Sequence, residues 1–187
     1  MSQSDQSAAA AIVRHYAELS AALGELAAEL IIAAEIGGLR PAYTARDALV
    51  GWVRAELLPH AFAEEEALYP AAARQPAGRL LVEGMLAEHQ AIAALVDELE
   101  TASSPVVAAA AGRALRAVFE AHLAKENELV VPLLAEAPGV DLVGLLAGMH
   151  ELIGEAEAPA SGGCGCGGCG CGGGDVQVQV TAGPGPE

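Results

Sequence analysis

Aromatic side chains make up only 3% of this 187-residue chain, and basic ones are scarce. Nine Lys and Arg stand against 25 Asp and Glu, for a formal net charge of −16. The shortage of aromatic and β-branched residues, beside an excess of Ala and Leu, disfavours sheet and favours helix. The shortage of positive charge, with no Lys/Arg cluster anywhere, argues against nucleic acid and anionic membrane surfaces as partners. No apolar run approaches the ~18–20 residues of a membrane span, so the mean hydropathy of +0.37 is read as core. The opening MSQSDQS lacks the basic stretch and apolar segment of an export signal, and a cytoplasmic location is the expectation. Cysteine is missing until Cys164, and all four fall within eight residues, so they cannot staple a domain.

What remains is helical punctuation. Apolar residues recur at three- and four-residue steps, predicting helices over about residues 5–36, 44–73, 76–101 and 104–137, with a shorter fifth over 140–156. Thr44 is a plausible N-cap of the second, and Ser104-Pro105 opens the fourth. Short connections make these antiparallel neighbours: an all-α, up-down-up-down four-helix bundle with a short fifth C-terminal helix. The bundle is assigned to residues 1–157, and a flexible tail to 158–187. Within the tail, residues 161–174 read SGGCGCGGCGCGGG, too rich in Gly for a packed helix.

Two stretches then stand out. Residues 60–70 read HAFAEEEALYP and residues 122–132 read HLAKENELVVP. Each is H-x3-E-x5-P, sixty-two residues apart. Six polar residues occupy apolar stripes: His15, His60, Glu64, His89, His122 and Glu126. Burying a carboxylate costs several kcal/mol unless it is compensated, and the stripes carry no Lys or Arg. Metal ions supply the missing charge. His and Glu at i and i+4 leave one helix face. The chain therefore reads as two half-sites, His15 with His60 and Glu64, and His89 with His122 and Glu126. The flanks HYAELSAALGEL and HQAIAALVDEL also match, as an internal repeat requires. Two bridging Glu supply about four metal bonds and four His four more, against about twelve for two octahedral ions. That leaves room for a bridging group and an exogenous ligand. Mixed imidazole and carboxylate ligation suits iron, with Mn and Zn as alternatives.

At this point the chain resembles the bacterial hemerythrin-like (HHE cation-binding) family. The resemblance rests on His15, HAFAEE at 60–65 with LYP, His89, and HLAKE at 122–126 with VVP, over roughly residues 8–137. It implies a bundle holding two Fe ions, oxo- or hydroxo-bridged, and a role in binding or sensing O2 or a related small oxidant. It equally admits an enzyme that decomposes peroxide or reduces NO. The pattern departs from that of respiratory hemerythrins, which carry two His four apart on the third helix. Here Met85 and Ala93 flank His89 at that spacing. The last carboxylate, moreover, is Glu126, with Asn127 at the fifth position where those proteins have Asp.

Other residues carry secondary expectations. Tyr16 and Tyr69 sit beside ligands and can donate to a bound oxidant or simply pack. His150 falls at the edge of the fifth helix's apolar face, a surface histidine or a gate to the site. Glu65, Glu66 and Glu128 are expected to be solvated. Cys164, Cys166, Cys169 and Cys171 form C-x-C-x2-C-x-C, which can wrap one soft ion, Zn(II) or Cu(I), or undergo disulfide exchange. A metal-homeostasis role joining tail and bundle is the third functional expectation.

Overall fold

A computed structural model describes residues 3–36 and 38–157. Five helices run through them: α1 Gln3–Ile36, α2 over 39–73, α3 Gly78–Glu100, α4 over 105–136 and α5 Leu142–Glu157. No described residue is in a strand. Helices α1 to α4 pack as a closed ring, each against its two neighbours in chain order, with α4 back against α1. Helix α5 lies across α1 and the second half of α2. No helix among the described residues is long and apolar enough to cross a membrane.

The helix ends follow local chemistry. Ser104 caps α4, its side chain accepting from the Val107 amide at 3.3 Å, with Pro105 as the first helical residue. Helix α2 begins at Leu39 rather than near Thr44, with Gly38 as its extended N-cap. Pro41 then falls in the first turn, where the missing amide has no intrahelical partner to lose. The α4–α5 link turns at Gly139, whose φ of 78° is the left-handed region that glycine enters freely. Gly78 is required by space: a Cβ there would stand 1.8 Å from the Ala72 carbonyl oxygen, at the tight α2–α3 corner.

The largest local departure from regular helix is a device used three times. Val53–Leu57, Glu64–Leu68 and Glu126–Val130 are π-helical turns. Each closes with the amide of Leu58, Tyr69 or Val131 donating to the carbonyl five residues back. The next residue is Pro in every case: Pro59, Pro70, Pro132. A proline ring clashes with the carbonyl four residues earlier and offers no amide to it. Widening the turn by one residue relieves the clash without breaking the helix.

Each π turn resets the buried stripe. On α3, which has none, every stripe residue from Val82 through Met85, His89, Ile92 and Val96 to Leu99 is buried, as the spacing predicts. On α4 the stripe holds from Leu115 through Phe119 and His122 to Glu126 and then slips by one residue. Leu129 is exposed and Val130 and Leu134 are buried, whereas an unbroken three- and four-residue spacing from Glu126 leads to Leu129 and Leu133. On α2 Leu68 takes the place of Ala67. On α1 the buried residue at the site level is Tyr16, and His15 is only half-buried beside it.

A candidate metal centre

The middle of the bundle is polar in an otherwise apolar core. His60, Glu64, His89, His122 and Glu126 are all buried, Glu126 completely. Helix α2 supplies His60 and Glu64, α3 supplies His89, and α4 supplies His122 and Glu126. Both Glu are the first residues of π turns. No Lys or Arg is paired with either carboxylate among the described residues.

Glu64 is the hub. Its Oε1 accepts from the Tyr16 hydroxyl at 2.7 Å and lies 2.8 Å from His60 Nε2. Its Oε2 is 3.4 Å from His89 Nε2. His89 Nε2 and His122 Nε2 face each other at 3.1 Å. Glu64, His89 and His122 thereby offer three ligand atoms within 4.8 Å of one another. Glu126 Oε1 accepts from the Tyr69 hydroxyl at 2.8 Å and stands 3.8 Å from His122 Nε2. The same hydroxyl is 3.3 Å from His89 Nε2 and 3.4 Å from His122 Nε2.

The outward nitrogens of two histidines are held by carboxylates. His89 Nδ1 lies 2.7 Å from Glu65 Oε1, and His122 Nδ1 lies 3.1 Å from Glu88 Oε2. The other Glu88 oxygen pairs with Lys125. A carboxylate only accepts, so each Nδ1 carries the proton and donates. That turns the other nitrogen, Nε2, of both rings inward. With both rings neutral, two lone pairs 3.1 Å apart beside an ionised carboxylate repel, and either a proton on His89 or a metal cation relieves them. The Tyr69 hydroxyl does not, because its one proton goes to Glu126. The cluster calls for added positive charge, and the imidazole and carboxylate donors suit a transition metal. Further atoms await a partner: His60 Nδ1 and Glu126 Oε2 are buried without a hydrogen bond, and His60 Nε2 meets Glu64 Oε1 at 2.8 Å without hydrogen-bond alignment.

The metal-free electrostatics show the same demand. Burial would raise the Glu64 pKa, but His60, His89 and the Tyr16 hydroxyl outweigh it and hold Glu64 ionised. Burial, and then the charge of Glu64, push Glu126 well above the usual carboxylate range. One carboxylate is thus charged and the other protonated until a cation arrives. Burial lowers His122 to about 4. His89 is raised despite its burial, through hydrogen bonds to Glu64 and Glu65. Burial lowers His15, and proximity to His60 adds to the effect.

The sequence-predicted residues divide. Glu64, His89 and His122 converge; His60 and Glu126 touch that group from either side. His15 stands at the edge, its ring centroid 5.0 Å from that of His60. Glu66 and Glu128 are exposed as expected, whereas Glu65 is half-buried and bonded to His89, which corrects its reading as solvated. His150 is exposed on α5 beside the His15 cavity. The four cysteines lie outside the described residues. Glu88 and Lys125 were not singled out by sequence reasoning. Their only signal is adjacency, Glu88 next to His89 and Lys125 next to Glu126, and pairing between helices is not written in one strand of sequence. The two-fold repeat of the sequence is broken in the structure, since His89 is buried in the converging group whereas its counterpart His15 stands at the edge, and the supports differ too. Tyr16 and Tyr69 correspond to Gln90 and Val131, and Glu65 to Asn127.

A ring of four helices around a buried, cation-demanding cluster of imidazoles and carboxylates defines a metal-binding bundle. The match to the Hemerythrin HHE cation binding domain covers residues 8–134, and the chain belongs to that family. Searches of curated proteins and of solved structures gave no match.

Proposed function

We propose that this chain is a non-haem di-iron protein that binds or senses O2 or a related small oxidant. The observation that carries the reading is the inward convergence of buried imidazole nitrogens and carboxylate oxygens with no Lys or Arg paired to them among the described residues. Glu64, His89 and His122 form the tightest group, and His60 and Glu126 extend it with unpartnered buried atoms on both sides. His89 and His122 are assigned to one ion and His15 and His60 to the other. Glu64 faces both pairs, and Glu126 completes the set. Bound iron would supply reversible one-electron chemistry and open positions for a small ligand.

The chain's own groups do the rest. Tyr16 and Tyr69 each hold one carboxylate oxygen through a donated hydrogen bond and aim the other inward. Glu65 and Glu88 fix the His89 and His122 tautomers. The surrounding Leu, Ile and Val side chains exclude water, which strengthens every charge interaction in the centre.

The test is elemental analysis and a visible spectrum of full-length protein from iron-supplemented cells, repeated on chain ending at Glu157. About two irons per chain in both forms, with near-ultraviolet absorption that changes with O2, is the expected result. Zinc or copper bound only when the Cys tail is present would place the function in Cys164, Cys166, Cys169 and Cys171 instead. Peroxide turnover that disappears in His60→Ala would assign an enzyme on the same centre.

A further inference from the structure

The two sides of the centre are closed differently. Glu65 caps the outward nitrogen of His89 and Glu88 that of His122. The groove outside His89 carries the Glu65 carboxylate in its wall. On the His15–His60 side the other ring nitrogen of His60, Nδ1, has no such cap. That side opens instead into a cavity of about 50 Å³, walled by Ile12, Leu146, Met149 and Ile153, with His15 and His60 at its inner end. His60 is 3% exposed, its Nδ1 has no hydrogen-bond partner, and its Nε2 faces Glu64 Oε1 at 2.8 Å.

The roof of this cavity is α5. That helix is anchored by Leu142 and Met149, both buried, and packs on α1 and α2. It begins beyond residue 134, where the family match ends. The roof therefore lies outside the matched span, in the segment that follows it. His150, the residue after Met149, is exposed at the rim.

We propose that the cavity under α5 is the entry and waiting site for an uncharged diatomic gas, O2 or NO, on its way to the His15–His60 side of the centre. Its size exceeds the ~10–15 Å³ that admits one water and falls well below the ~150 Å³ that accepts benzene. Its wall is mostly hydrocarbon, which binds a neutral gas without stripping hydrogen bonds from it. Hydrogen peroxide and superoxide lose hydrogen bonds or charge solvation on entering such a wall. Leu146, Met149 and Ile153 then set the size limit, and His150 stands where the gas enters. The proposal rests on the oxidant-binding reading above and narrows it to neutral diatomics.

The experiment uses iron-loaded, full-length protein in the reduced state. It is mixed rapidly with O2, NO or hydrogen peroxide and followed by visible absorption. Met149→Trp fills the cavity, and Leu146→Phe fills it more gently should the first variant unseat α5. The expected result is iron content unchanged, with O2 and NO reacting at least tenfold more slowly and peroxide affected less. Wild-type crystals under xenon pressure should show a xenon atom between Ile12 and Met149. Equal O2 and NO rates in wild type and a filled variant of normal iron content overturn this proposal alone. Absence of xenon from the cavity does the same. A wild-type protein that holds iron but gives no optical change with either gas overturns the oxidant-binding reading, and this proposal with it.

Discussion

Replacing Glu88 by Gln keeps the shape of the side chain and removes its charge. In the native protein Glu88 Oε2 accepts from His122 Nδ1 at 3.1 Å, and its other oxygen pairs with Lys125. A charge-assisted hydrogen bond contributes about 1.5–3 kcal/mol, against about 1 kcal/mol for a neutral one. Gln also can present its amide nitrogen to His122, which would turn the proton onto the inward nitrogen and spoil the donor. Loss of such a carboxylate support typically costs 10–100-fold in metal affinity, or about 1.4–2.8 kcal/mol. Glu88 is partly exposed, so the lower half of that range is expected. Glu65→Gln should act likewise through His89, since the Glu65 contact is shorter at 2.7 Å. Glu66→Gln, on an exposed residue of the same π turn, is the control. The assay is competition for Fe(II) or Co(II) against a chelator of known affinity, with circular dichroism to verify the fold. Affinities for Glu88→Gln and Glu65→Gln equal to that of Glu66→Gln would refute the argument that these carboxylates hold the rings.

Glu64→Ala should abolish metal loading and Glu126→Ala should reduce it, and the metal-free wild type should melt well below the loaded form, because binding energy is folding energy here; differential scanning calorimetry with metal analysis reads all three. Pro132→Ala restores an amide and removes the ring clash, so the π turn at Glu126 can relax to α-helix; less bound metal, with helicity unchanged by circular dichroism, is the expected signature. In the metal-free protein the unfolded chain protonates His122 near pH 6.5, whereas the folded chain holds it neutral down to about pH 4. The unfolded state thus binds more protons across that window, and this group's contribution lowers stability as pH falls through it. His89, raised in the fold, acts oppositely: its contribution is complete below about pH 6.5 and is lost as pH rises through its folded pKa. Melting temperatures of metal-free wild type and His122→Gln at several pH values separate the two, and identical pH slopes would contradict the His122 assignment.

Much of this molecule was legible because helix periodicity and buried charge are both local signals. The α3 stripe was readable to the residue, since nothing interrupts its 3.6-residue period. The doubled H-x3-E was readable because carboxylates without counter-charges on an apolar face demand a cation. The stripes beyond Glu64 and Glu126 were displaced by one because a π turn costs one residue of phase, and no propensity scale marks it. The prolines were visible, but a proline in the sequence does not say whether its helix breaks, bends or widens by a residue. His15 was assigned to the stripe and Tyr16 to its border; packing reversed them, with the larger ring fully buried. Contacts such as Glu65 with His89 and Glu88 with Lys125 depend on how neighbouring helices are turned, and sequence spacing along one helix carries no measure of that.

The proline six residues after each site carboxylate acts as a ruler. It places the widened turn at the carboxylate and so sets the angle at which everything downstream faces the axis. One residue added between Glu64 and Pro70 would swing Tyr69 by about 100°, away from Glu126 and the two imidazoles. Point changes within that interval are survivable at its exposed positions, such as Glu66. Changes of length are not, because each added or lost residue turns every side chain beyond it to another face.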